Sequence, residues 1–167
     1  RQANVAALTN GLQKLGRGEQ DLQRLKNAAD ELGKATLFDQ EQFTQGFALL
    51  TSFQSIGVES FERVAEAAAD VATLTGQDVN SSLLQLAKAL QDPVRGLTAL
   101  SRSGTQFTDQ QKKQIKALVE SGKELEAQNF ILEEIEKQYA NAARAAGSAG
   151  YSGAVDSLGE SFRDFQE

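Results

Sequence analysis

The feature that most constrains the fold of this chain is the dense series of helix start and stop signals between Leu86 and Gly147. Asp92-Pro93 predicts a helix start, because an Asp side chain accepts hydrogen bonds from free backbone N–H groups and Pro fits the first helical position. Thr108 and Gln111 have the spacing of a capping box. Glycines predict the breaks between these helices, at Gly104 and Gly122. These signals predict several short helices rather than one long rod.

The last helix of this stretch is predicted to be the longest, since its apolar residues recur at helical spacing. They share one face: Leu125, Ile131, Leu132, Ile135, Tyr139 and Ala142. Upstream, Asp39 with Gln42 gives another capping-box spacing, and Asp78 predicts a further N-cap. Ala, Leu, Gln and Glu are abundant and there is only 1 Pro, which favours helix throughout. We therefore predict an all-α fold, a compact multi-helix domain of about eight or nine short helices.

Residues 1–33 are predicted to form a helical lead-in. Its apolar positions alternate at three-four spacing, the pattern of a coiled-coil seam. They are Val5, Leu8, Leu12 and Leu15, then, after a break at residues 16–18, Leu22, Leu25, Ala29 and Leu32. The register slips across the break, so we predict two helices with a hinge. About two heptads do not decide between a coiled coil and helices packed on their own domain.

Residues 36–147 are predicted to be the compact module, and its apolar anchor is a stripe of phenylalanines. Phe43 and Phe47 fall on one helical face with Leu50 and Phe53. A stripe at this spacing usually faces a core. The alternative is an exposed groove, for which Phe43 and Phe47 are candidate partner-contact residues. Residues 148–167 are predicted to be a flexible link and the start of a further helix, because small residues open them.

The residues that are missing exclude several classes of chemistry. The sequence has 0 His and 0 Cys, which removes the commonest general base, thiolate metal sites and a disulfide scaffold. The net charge of −6 disfavours non-specific binding to nucleic acid and to anionic membranes. No apolar run is long enough for a membrane span, and no signal peptide opens the chain. We predict no cofactor and no metal.

One basic cluster stands out against this acidic background. Lys112, Lys113 and Lys116 share a predicted helix, with Arg95 and Arg102 nearby in the sequence. The cluster is a candidate contact for an acidic partner or for DNA. Aromatic residues that would stack on bases are not interleaved with it, so we predict no sequence-specific binding of nucleic acid. The plainer interpretation is a solvated helix face.

Carboxylates are the remaining groups with catalytic potential. Glu133, Glu134 and Glu136 cluster on the long predicted helix. Two carboxylates at a fixed separation can hydrolyse a glycosidic bond. The chain has 0 Trp, and nothing in the sequence marks an acid in an aromatic pocket. A solvated acidic face is therefore favoured over a hydrolase site.

Three strings in the middle of the chain carry a resemblance to a known family. They are "LQDPVRGLTAL", "FTDQQKKQIKALVESG" and "ILEEIEKQY", the last of which leads into an Ala/Gly-rich run. Together they resemble a segment of the tail length tape measure proteins of long-tailed bacteriophages and prophages. The similarity covers roughly Thr36 to Glu167. It includes "GFALLTSFQSIGVESFERVAEAAADVATLTGQDV" upstream of these strings and "GAVDSLGESFRDF" downstream of them. Residues before Gly33 show only generic helical character.

The resemblance implies a structural function. Proteins of that family occupy the tail tube lumen of the virion, set tube length during assembly and leave the tail on DNA ejection. The implied partners are tail tube and tail-tip proteins, and tail assembly chaperones in the host cytoplasm. Self-association of the folded module is a separate hypothesis. The sequence begins with Arg1 and has 0 Met, so we expect a segment of a longer protein. The alternatives are a helical adaptor or chaperone-like binding module unrelated to phage tails, and a cell-wall hydrolase.

Overall fold

The computed structural model describes residues 2–102 and 104–150, and these residues are helical throughout apart from short connections. The helices are α1 (Gln2–Lys14), α2 (Glu19–Ala35), α3 (Gln40–Leu50), α4 (Phe61–Thr75), α5 (Val79–Gln91), α6 (Pro93–Arg102), α7 (Asp109–Glu120), α8 (Glu124–Tyr139) and α9 (Ala142–Gly150). A 3-10 turn, Val58–Ser60, precedes α4. The prediction of an all-α domain of short helices is confirmed over this part of the chain.

The predicted caps set the helix starts. At α3, the Asp39 carboxylate accepts a hydrogen bond from the Gln42 N–H at 2.8 Å, and the Gln42 side chain accepts one from the Asp39 N–H at 2.9 Å. Thr108 and Gln111 form the same reciprocal box at α7. The Asp78 carboxylate caps α5 by accepting from the Ser81 N–H at 2.9 Å. Such caps satisfy backbone donors that a helix start leaves free.

The long helix predicted through Ala142 is interrupted. It ends at Tyr139, and α9 begins at Ala142 after Asn141, whose φ of 62° lies in the left-handed region. Asn tolerates that region better than most residues, so a break forms without a glycine signal. Leu125, which was predicted to share the apolar face of this helix, is 64% exposed. In that first turn of α8, Ala127 faces the core instead.

One apolar core joins the described helices. The Ala-rich helix α4 lies at its centre and packs on α3, α5, α8 and α9. The lead-in shares this core: Leu8 and Leu12 of α1 and Leu25 of α2 are 0%, 1% and 0% exposed. The lead-in helices therefore pack on α3 within the same chain. The division of the chain at residues 33–36 and 147–148 stays a prediction.

Two glycines permit close helix approaches that a larger residue would obstruct. A Cβ built on Gly96 of α6 would lie 2.2 Å from the Cα of Ala89 in α5. A Cβ on Gly147 would lie 2.1 Å from the carbonyl oxygen of Ala35, at the end of α2. Residues 148–150, which open the predicted flexible link, complete α9 together with Gly147. Gly147 thus serves packing at this position rather than flexibility.

Two remaining predictions concern a further helix at the end of the chain and the absence of a membrane-spanning segment. The further helix start predicted from Val155, Leu158, Phe162 and Phe165 lies outside the described residues. Within residues 2–102 and 104–150, no helix combines the length and apolarity that a bilayer crossing requires.

Candidate functional site

The predicted basic cluster lines a groove between α6 and α7. Lys112, Lys113 and Lys116 are exposed on α7, while Ile115 of the same helix is 0% exposed and anchors the helix in the core. The three lysines form one wall because Lys116 lies three residues after Lys113 and four after Lys112, and residues at these separations are neighbours on a helix surface. Val94, Leu97 and Thr98 of α6 form the other wall, and the groove has a volume of about 190 Å³.

This groove is smaller than a typical small-molecule site, and its charge is opposite to that of the chain. Small-molecule pockets are commonly about 300–1,000 Å³, so this one suits a side chain or two. Residues 92–123 contain six Lys and Arg against three Asp and Glu, a local net charge of +3 in a chain of −6. Within the described residues, Lys116 lies 3.9 Å from Glu120, and no ion pair forms at Lys112 or Lys113. The groove therefore favours an acidic, partly apolar contact.

Phe43 and Phe47, the other candidate contact residues, lie elsewhere. They are 1% and 0% exposed in the core beneath α3, and the Phe38 ring packs edge-on against Phe43 at 6.3 Å between ring centroids. Neither lines the basic groove. The structure thus brings the three lysines together on the surface and places the two phenylalanines inside. A partner would reach the phenylalanines only if the domain opened.

The structure also contains two arginine clusters that the sequence did not predict. Arg144 of α9 donates to Glu31 of α2 at 2.6 Å and to Glu66 of α4 at 2.9 Å. Arg63 of α4 donates two hydrogen bonds to Glu136 of α8, at 2.9 and 2.8 Å. Paired donors of this kind match carboxylate geometry. These pairs join helices that are far apart in the sequence, so no local pattern could have indicated them.

Asp70 is the most perturbed acid of the described chain. Asp70 is 5% exposed, and its carboxylate accepts a hydrogen bond from the Ala143 N–H at 2.8 Å. Through this bond, a side chain of α4 caps the start of α9. Burial raises the pKa of Asp70 to about 6, with a smaller contribution from Glu66; the Ala143 N–H opposes the rise. Its position between Ala69 and Val71 in an Ala-rich helix was the available sequence signal. A charge on a face of small apolar residues indicates a buried polar contact.

Two of the three carboxylates considered for hydrolysis have structural partners, and the third, Glu133, is exposed. Glu136 is held by Arg63, and Glu134 accepts a hydrogen bond from the Gln138 side chain at 3.1 Å. Glu136 and Asp70 both border a cavity of about 320 Å³, together with Glu62, Arg63 and Glu66. No group of three or more His, Cys, Asp or Glu side chains in the described residues is arranged to hold a metal ion.

Fold and surface together define an all-α module whose helices are joined by an apolar core and by long-range ion pairs. Residues 2–116 match the family model described as "Prophage tail length tape measure protein". Because this match covers well over half of the chain, the chain belongs to that family. Searches of curated proteins and of solved structures gave no match.

The extent of the match changes one detail of the sequence-based resemblance. It starts at residue 2, so it includes the lead-in helices that showed only generic helical character. It ends at residue 116, within α7, and does not reach α8, which carried part of the resemblance. The family assignment accordingly rests on α1 to α7, including the lysines of the groove. It implies a location in the phage tail.

Proposed function

We propose that this chain is a folded structural module of a tape measure protein that sets tail tube length during assembly and leaves the tail on DNA ejection. Family membership supports the tail assignment. The continuous core from Leu8 to Ala143 supports a folded module rather than an extended ruler segment. Its proposed setting is the tail lumen, beside tube and tail-tip proteins. Before assembly the parent protein is in the host cytoplasm, bound by tail assembly chaperones.

The difference in length between the two forms is large. Residues 2–150 as one continuous helix would span about 220 Å, at about 1.5 Å per residue. A compact domain of the same size has a radius of gyration of about 15 Å, and therefore a diameter of about 40 Å. The extended form would contribute about five times the length of the folded form. Tail length consequently distinguishes the two forms.

The first test is an in-frame deletion of residues 2–150 from the parent gene, with tail length measured by electron microscopy. A folded module predicts shortening by at most about 40 Å, together with lost infectivity. Shortening by about 220 Å would show that these residues are stretched out as ruler in the tail, and it would contradict the proposal.

A second test leaves the residue number unchanged. Phe47→Asp places a charge in the core, where Phe47 is 0% exposed, and should unfold the module. A ruler that only counts residues would give tails of normal length and infectivity. A required folded module predicts tails of altered length or non-infectious particles. Gln20→Asp, at an exposed position in the first turn of α2 and outside the groove, is the matched control and should behave as wild type.

The proposed role is structural rather than catalytic. The acid with the raised pKa, Asp70, is used to cap α9, and Glu136 is used to pair with Arg63. Both carboxylates thus have packing functions. The purified chain should leave peptidoglycan intact in a zymogram; clearing that disappears in Asp70→Asn or Glu136→Gln would support the hydrolase alternative instead.

A further inference from the structure

Two surface features of this chain are complementary to one another. The first is the basic groove of α6 and α7, with an apolar wall at Val94 and Leu97 and a lysine wall opposite. The second lies at the start of α8, where Leu125 is 64% exposed. Leu125 stands between Glu124 and Glu126, both exposed. One feature is an apolar recess bordered by cations, and the other is an apolar side chain bordered by anions.

The two features do not meet within one molecule. The residues lining the groove belong to α6 and α7 and do not include Leu125. An exposed leucine alone is common on protein surfaces. An exposed leucine between two carboxylates, in a chain that also carries an apolar recess edged by three lysines, gives both hydrophobic and electrostatic complementarity. The recess of about 190 Å³ also suits one inserted side chain better than a drug-sized ligand.

We propose that the start of α8 in one copy of this chain docks in the α6–α7 groove of a second copy. Leu125 enters between Val94 and the lysine wall, and Glu124 and Glu126 pair with Lys112, Lys113 or Lys116. The proposal rests on the proposed function, because it names a partner for the packing module. Since the two surfaces differ, the contact is head-to-tail, and it leaves a free groove at one end and a free Leu125 at the other.

DNA is the competing occupant for a basic groove. Phosphates would use the lysines, but they would leave Val94, which is 49% exposed, without an apolar partner. Sites for single-stranded nucleic acid commonly stack bases on aromatic side chains. The residues that line this groove include no aromatic side chain. The mixed lining therefore favours a carboxylate-flanked apolar side chain. A contact of this size is weak, and it becomes significant where several copies are held together at high local concentration.

The test is sedimentation velocity on the 167-residue chain, from about 10 μM to about 1 mM at low salt. Wild type should show a weight-average sedimentation coefficient that rises with concentration. The rise should diminish between about 50 mM and about 500 mM NaCl, because salt screens exposed ion pairs. Leu125→Ser should weaken association by about tenfold or more. Circular dichroism confirms that each variant is folded.

Charge reversal makes the test specific. Lys112→Glu with Lys113→Glu reverses the groove, and Glu124→Lys with Glu126→Lys reverses the α8 start. Each double variant alone should be monomeric, because its own two surfaces then carry the same sign. An equimolar mixture should associate again, since each groove meets an oppositely charged α8 start. Lys34→Glu with Lys88→Glu is the control for net charge and should associate as wild type; both lysines lie outside the groove.

Several outcomes would overturn the proposal. The first is a wild-type chain that stays monomeric over the whole concentration range. The second is a Lys112→Glu, Lys113→Glu variant that associates as well as the net-charge control does. The third is an equimolar mixture of the two charge-reversed variants that fails to associate. Binding of a 30-base-pair duplex that depends on Lys112 and Lys113, without self-association, would assign the groove to nucleic acid instead. The tail length measured in the deletion test does not depend on whether this contact forms. Failure of the contact and failure of the proposed function are therefore distinguishable.

Discussion

The titration of Asp70 should make this domain more stable as the pH falls from 7 to 5. The folded-state pKa is about 6 and the ordinary value is 3.8. The folded state therefore holds more protons than the unfolded state between those values. Stability contributed by the protonated form is complete below the ordinary pKa and is lost as the pH rises through 6.

The magnitude follows from the two pKa values. Linkage gives a gain of about 1 kcal/mol in the free energy of unfolding between pH 7 and pH 5. Burial is the main cause, and the facing groups modify it: Glu66 and Glu136 raise the pKa of Asp70, while the Ala143 N–H and Arg144 lower it. Asp21, Glu31 and Glu59 have lowered pKa values, so their stabilising effects are lost at lower pH.

The assay is urea denaturation at pH 7, 6 and 5 for wild type and Asp70→Asn. Asparagine keeps an oxygen that can accept the Ala143 N–H but cannot titrate. The wild type should gain about 1 kcal/mol on acidification, and the variant should be flat over the same range. Asp109→Asn, at an exposed position in α7, should keep the wild-type slope. A wild type without the gain, or an Asp70→Asn variant with the same gain, would refute the assignment.

One close helix contact, one set of ion pairs and one helix cap give three further predictions, measurable as free energies of unfolding in urea. Gly96→Ala should lower the free energy of unfolding by about 1–3 kcal/mol, because its Cβ would collide with the α5 backbone. Thr98→Ala, at an exposed position in the same helix, is the control and should be near neutral. Equal losses of stability in the two variants would argue against the close approach at Gly96. Arg144→Ala should lower stability by about 1 kcal/mol, more at low salt than at high salt, because its ion pairs are partly exposed. Thr108→Ala should cost about 1 kcal/mol through loss of the α7 capping box, and no change would mean that the box contributes little.

Sequence reasoning succeeded where the determining interactions were local. The boxes at Asp39 and Thr108 involve residues three apart, so their spacing indicated both helix starts. The lysines of α7 were found because one helix carries them all. The α6 wall of the groove was not found, because its position depends on how α5, α6 and α7 pack. The break at Asn141 was missed for a related reason, since an Asn there carries no distinctive signal and depends on its surroundings.

The same distinction explains how α9 is held. Its nine residues are too few and too Gly-rich for a stable isolated helix, so α9 must obtain its stability from the domain. Its first turn is capped by Asp70 of α4, its Arg144 is paired with α2 and α4, and Gly147 allows close contact with the end of α2. Each of these contacts requires that α2 and α4 are already in place. Helix α9 therefore forms only on the folded module, and it should be the first helix released when the module opens.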